Sequence, residues 1–183
     1  MSAHHRVRVD GGWIEMPVAE LAGEALVVPN VAALVVPDRD ATAVLLQRRD
    51  KPGEAVRGRL ELPGGRWRAG EAAETALRRE VSEETGLIVQ EVLGRPSDTV
   101  RADPERPFQV VRPVAVTVGV DGAYPALHLA FLCVASGTPV GQDGETRDPR
   151  WYDLDELRRL LDEPSRFTGP ALGILKEWLA SRP

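Results

Sequence analysis

Glu80, Glu83 and Glu84 stand three and four residues apart in a stretch that has neither glycine nor proline between Glu71 and Thr85. The stretch is rich in Ala, Glu, Leu and Arg, all good helix formers. Gly86 behind it suits a left-handed C-cap, so the composition predicts a helix of roughly 12–14 residues. At about 100° per residue the three glutamates fall within one arc of roughly 100°. Acidic groups at these spacings repel, so the helix gains no stability from them. They do suit a hard divalent cation, which takes oxygen ligands and bridges carboxylates to phosphates. Ala73 and Ala76 share the arc and are expected to leave room for a bulky anion, while Leu77 and Val81 at its edge face a core.

Taken alone, such a run of acids is a solvated helix face. Its context points elsewhere. Leu62-Pro63-Gly64-Gly65 just upstream forces a sharp turn and lets the backbone approach a ligand closely. Arg79 precedes Glu80 and lies four residues before Glu83, where it can pair with and orient a carboxylate.

Gly65, Glu71, Arg79, Glu80, Val81, Glu83, Glu84, Gly86 and Leu87 together read G-x5-E-x7-R-E-U-x-E-E-x-G-U, where U is apolar. In this, residues 65–87 resemble the Nudix hydrolases at every specified position. Flanking similarities extend this. Residues 44–49 and 59–65 resemble the strand and loop before the box in MutT-like members, and residues 151–157 resemble the family's final strand and helix. The resemblance covers about residues 31–161. It implies an α/β fold, the Nudix α/β/α sandwich with a mixed β-sheet between helices. Residues 25–183 are expected to form the Nudix hydrolase domain and residues 1–24 a lead-in hairpin, with a single domain overall.

Carried over position by position, the resemblance implies that Glu80, Glu83 and Glu84 are acidic metal ligands, with the Gly64 carbonyl completing the site and Arg79 orienting Glu80. Glu71 matches the family's earlier glutamate, of smaller effect, and is placed with Gly65 and Arg49 on the substrate side. Arg49 matches a position that touches substrate phosphate in MutT-like enzymes. Glu145, six residues before Trp151, resembles a further metal ligand or base on the loop closing the site. The implied cofactor is Mg²⁺, with Mn²⁺ able to substitute. The implied reaction is attack by water on one phosphorus of a pyrophosphate linked to a nucleoside-containing group. Phosphoryl transfer needs charge neutralised on the phosphate oxygens and the nucleophile aligned. One carboxylate must take a proton from water, Glu80 or Glu83 first and Glu145 as the outside choice. The substrate class spans nucleotide sugars, ADP-ribose-like molecules and (d)NTPs. In ADP-ribose and nucleotide-sugar branches, N-terminal leads of this kind support dimers, so the resemblance allows a homodimer. The alternative is a non-catalytic nucleotide-binding sensor or interaction module on the same scaffold. An isoprenoid-diphosphate isomerase, a third possibility, would need an activated cysteine that Cys133 fits poorly.

The chain has 183 residues, 43% hydrophobic and 28% charged, and a net charge of −5. Length and composition fit one globular domain with a sizeable core. No basic run suggests nucleic-acid binding. No apolar stretch reaches spanning length and no signal core opens the chain, so no membrane association and a cytoplasmic location are expected. Cys133 is the sole cysteine and sits in an apolar run, where a buried inert thiol is expected.

Strands are expected at residues 25–36, 43–49, 60–62, 87–93, 110–120 and 127–134, the last two pairing antiparallel across residues 121–125. Residues 13–15 and 18–21 are expected to pair as the lead-in hairpin, and residues 50–59, 94–107 and 136–149 to be loops. Trp151 closes a short strand, Asp153 caps a helix over residues 154–161, and residues 171–180 form a last helix.

Overall fold

The structure, a computed structural model, describes residues 4–9, 12–17, 20–21, 24–25, 27–68, 70–94, 98–100, 108–120 and 125–182. Strands β1 (His4–Val9) and β2 (Gly12–Pro17) pair antiparallel, as do the two-residue strands β3 (Glu20–Leu21) and β4 (Glu24–Ala25). The segment holding Trp13–Glu15 therefore pairs with His4–Val9, and Glu20–Leu21 pairs with Glu24–Ala25, while residues 18 and 19 lie outside the described residues. Then come β5 (Val28–Val36), β6 (Ala43–Arg49), β7 (Leu60–Glu61), β8 (Gly64–Arg66) and α1 (Ala73–Thr85). They are followed by β9 (Ile88–Val92), β10 (Asp98–Val100), β11 (Phe108–Val110), β12 (Ala115–Val118) and β13 (Ala126–Ser136). β14 (Thr146–Asp153), α2 (Leu154–Leu161) and α3 (Gly169–Ala180) close the order.

The central sheet runs β12-β13-β5-β8, with β9 also on β13; β5 and β13 are parallel and the other pairs antiparallel, so the sheet is mixed. A second sheet runs β14-β6-β7. β5 is apolar on both faces because both are covered. Its side chains alternate: Ala32, Leu34 and Val36 join a core that includes Ala171, Ile174 and Leu175 of α3, while Val31, Ala33 and Val35 join Ala76, Leu77 and Val81 of α1. Among the described residues no helix is long and apolar enough to cross a membrane.

α1 ends at Gly86, whose φ of 67° is left-handed. Its alanines behave differently from the expectation. Ala73 and Ala76 are buried in the core with Leu77 and Val81, so they leave no space above the acidic face. Trp67 packs against the same core and Gln109 Oε1 accepts from Ala73 N at 2.9 Å, covering this end of the helix. β14 begins at Thr146, inside the stretch expected to be a loop; β10 pairs antiparallel with β11, and most of the expected 94–107 loop lies outside the described residues. Asp153 caps α2 as expected, its Oδ1 accepting from Glu156 N at 2.7 Å.

Candidate active site

Gly64 and Gly65, expected in a sharp turn, lie in strand β8 paired with Ala32 and Val31 of β5, and they stand against the carboxylates of α1. Gly64 N donates to Glu84 Oε2 at 3.0 Å. A Cβ on Gly64 would run into the Val31 carbonyl oxygen, so the close passage of β8 over β5 admits only glycine. A Cβ on Gly65 would stand 2.5 Å from Glu80 Oε2, so that carboxylate lies directly over the Gly65 Cα. Gly65→Ala pushes at the end of a flexible side chain and not at backbone. The expected result is a melting temperature close to wild type with kcat reduced about a hundredfold, because Glu80 is displaced by about 1 Å. Thermal unfolding and steady-state rates on one sample check both parts.

The three glutamates meet different environments. Glu84 is buried, and its Oε2 also accepts from Gln47 Nε2 at 2.7 Å. Burial pushes its carboxyl up to about 7 against those two hydrogen bonds. Glu80 is raised by burial and held down by Arg79, whose Nη1 donates to it. Glu83 is half exposed, with its Oε2 3.4 Å from Arg79 Nη1.

Arg79 is the hub behind them. Its Nε and Nη2 reach the two oxygens of Glu71 at 2.9 and 3.1 Å, and Nη2 also donates to Arg66 O at 3.2 Å. This fork fixes the guanidinium, and its hydrogen bond holds the Glu71 carboxyl below the usual range. Neither Glu71 nor Arg79 lines the cavity in front of the acids, and Glu71 bonds the Arg79 guanidinium.

That cavity has a volume of about 1110 Å³, enough for a nucleotide-sized ligand. Glu80, Glu83, Glu84, Gly64, Gly65, Arg49 and Glu145 all line it, so the candidates converge apart from the Arg79–Glu71 pair. Arg49 bonds Glu54 twice, at 2.7 and 3.0 Å, and Glu145 Oε2 pairs with Lys51 Nζ at 3.1 Å.

Three residues at this site were not anticipated. Lys51 and Glu61 line the cavity, and Gln47 supports Glu84 from beneath. Gln47 could have been found by strand alternation, since it shares a face of β6 with Arg49. Glu61 lies opposite Gln47 in the β6–β7 register, and burial, with Glu84 adding to it, pushes its carboxyl up to about 8 against the pull of Arg49.

The oxygen donors Glu80, Glu83, Glu84 and the Gly64 carbonyl fit a hard divalent cation by chemistry. Among the described residues, however, no three His, Cys, Asp or Glu side chains stand close enough together to hold one. Arg79 bonds Glu80 Oε1 and stands 3.4 Å from Glu83 Oε2, while Glu80 Oε2 lies over Gly65.

A family model described as the NUDIX domain matches residues 28–169. The chain belongs to the Nudix hydrolase family. Its mixed sheet with helices is the Nudix architecture. The NUDIX domain of Shewanella oneidensis NrtR, complexed with ADP ribose, superposes with a TM-score of 0.59 at 15% identity, over 86% of this chain and 89% of that one. An ADP-ribose pyrophosphatase of Methanocaldococcus jannaschii is 28% identical over 134 residues, 72% of this chain and 66% of the relative, just under two thirds. A putative 8-oxo-dGTP diphosphatase 2 of Mycobacterium tuberculosis is 49% identical over 49 residues, 27% of this chain and 34% of the relative.

Proposed function

We propose that this Nudix protein is a divalent-cation-dependent hydrolase, served by Mg²⁺ with Mn²⁺ able to substitute, that cleaves the pyrophosphate of a nucleoside diphosphate linked to a further group. Nucleotide sugars, ADP-ribose-like molecules and nucleoside triphosphates belong to that class. The observation that carries this reading is the convergence of Glu80, Glu83, Glu84, Gly64 and Gly65 on one cavity with Arg49, Lys51 and Glu145. The relatives named as a pyrophosphatase and a diphosphatase support it.

Glu80, Glu83, Glu84 and the Gly64 carbonyl would hold the cation, which when bound neutralises charge on the phosphate oxygens. Glu80 takes the proton from the attacking water on Oε2, the oxygen that Arg79 does not hold and that lies over Gly65. The water oxygen bonds to one phosphorus as the bridging P–O bond breaks, and the leaving phosphate keeps the electron pair. Arg79 sets the direction of Glu80 while Glu71 anchors Arg79. Arg49 and Lys51 are placed to meet the phosphate oxygens, exchanging Glu54 and Glu145 for substrate.

Incubation with Mg²⁺ and a panel of nucleoside triphosphates, nucleotide sugars and dinucleotides tests this, with phosphate-bearing products read by chromatography. Turnover of at least one diphosphate conjugate is expected. Tight binding of a nucleotide without turnover by folded, cation-loaded protein contradicts it and favours the sensor reading. Cys133 is buried and its thiol is pushed up to about 12 by burial, so it supplies no nucleophile for isomerase chemistry.

A further inference from the structure

One residue from each strand of β8-β5-β13-β12 falls in a single row across the central sheet. Arg66 lies opposite Asn30, Asn30 opposite His128, and His128 opposite Thr117. Residues directly opposite share a face. Here it is the face turned to α3, since Thr117 Cγ2 lies 3.4 Å from where a Cβ on Gly173 would stand. All four residues line the cavity. The next row on the same face is Ala115, Ala130 and Ala32, so the polar character belongs to this row alone.

Two atoms of the row, Thr117 Oγ1 and His128 Nδ1, are buried without a hydrogen-bond partner. Leaving such atoms unpaired costs folding free energy, and an entering ligand can supply the partners. Burial holds His128 below its usual range, so the imidazole is neutral and offers one donor and one acceptor. Asn30, His128 and Thr117 thus form an uncharged set. That set carries no charge to favour an anion, and its mixture of donors and acceptors matches the edge of a planar heterocycle. Pro170 and Ile174 of α3 flank the same cavity and give a ring face apolar contact. The row starts at Arg66, next to Gly64 and Gly65 in the same strand, which face the acids proposed to serve the diphosphate.

We propose that Asn30, His128 and Thr117 form the nucleobase-reading subsite, the row bonding the edge of the base while α3 packs its face. The assignment rests on the diphosphate reading above, since only a nucleotide substrate brings a base into the cavity.

Calorimetric titration of cation-free protein with AMP, GMP, CMP, UMP and the baseless probe ribose 5-phosphate tests it. The four nucleotides are expected to differ in Kd by roughly tenfold or more, and Thr117→Val or His128→Leu to compress that spread to about twofold. Thr117→Ser, which keeps the hydroxyl, retains the spread. Ribose 5-phosphate binds the wild type and the variants alike. Wild-type Kd values within about twofold of one another overturn the assignment. So does a spread untouched by both substitutions, or an equal weakening of ribose 5-phosphate, which would mean that the row reads the sugar. No turnover is needed, so a protein that hydrolyses nothing still gives an answer here. Hydrolysis without any base preference would leave the diphosphate reading standing and remove this one.

Discussion

Glu84→Gln lowers kcat by about a thousandfold while the protein stays folded. Both hydrogen bonds to this side chain, from Gly64 N and Gln47 Nε2, converge on one oxygen, Oε2. A glutamine carbonyl in that place keeps both bonds and loses only the charge. The charge is what the proposed cation needs, and Glu84 is the most deeply buried of the three acids, so no solvent replaces it. Steady-state kinetics at saturating cation on the best substrate from the panel measure the loss. A variant within tenfold of wild type would mean that Glu84 is only a structural acid.

The same substitution has the opposite effect on stability. Burial raises the Glu84 carboxyl in the folded protein to about 7, against an ordinary value of 4.5. A raised acid contributes stability that is fully present below its unfolded value and is lost as pH rises through the folded one. Glu84 thus costs the cation-free protein roughly 3 kcal/mol between pH 4.5 and pH 8. Glutamine does not ionise, so Glu84→Gln is expected to melt near the wild type at pH 4.5 and well above it at pH 8, by roughly 10 °C. His128, whose pKa burial lowers, acts in the other sense, but it is common to both proteins and cancels in the difference. A saturating divalent cation narrows the gap by stabilising only the wild type. A variant equally destabilised at both pH values would place Glu84 in a site that welcomes its charge.

The locally encoded part of this arrangement is legible in the amino-acid order. The α1 helix with its Gly86 cap, the Asp153 cap of α2 and strand β6 follow from propensity, capping and apolar runs within a dozen residues. Long-range features are not. Ala73 and Ala76 share the acidic arc on a helical wheel, yet Trp67 and Gln109 cover that end of the helix, which no wheel contains. Glu61, opposite Gln47 across a strand pair, gains its character from burial near Glu84, and Thr117, His128 and Asn30 come into one row only through sheet register. Glu71 bears the spacing of a site acid, and its bonds to Arg79, eight residues on, are not legible in that spacing. β14 starts early because Thr146 bonds back to the site: its Oγ1 donates to the Glu84 carbonyl at 3.1 Å, a contact spanning the middle of the chain.

The most direct test of metal-assisted attack by these acids is hydrolysis of the best diphosphate substrate in ¹⁸O-labelled water. Activity should vanish on chelation and return with Mg²⁺. The products should be two phosphate-bearing fragments with one ¹⁸O on one of them, as attack on a single phosphorus requires. Turnover indifferent to chelation, or label found on a group other than phosphate, would contradict the account.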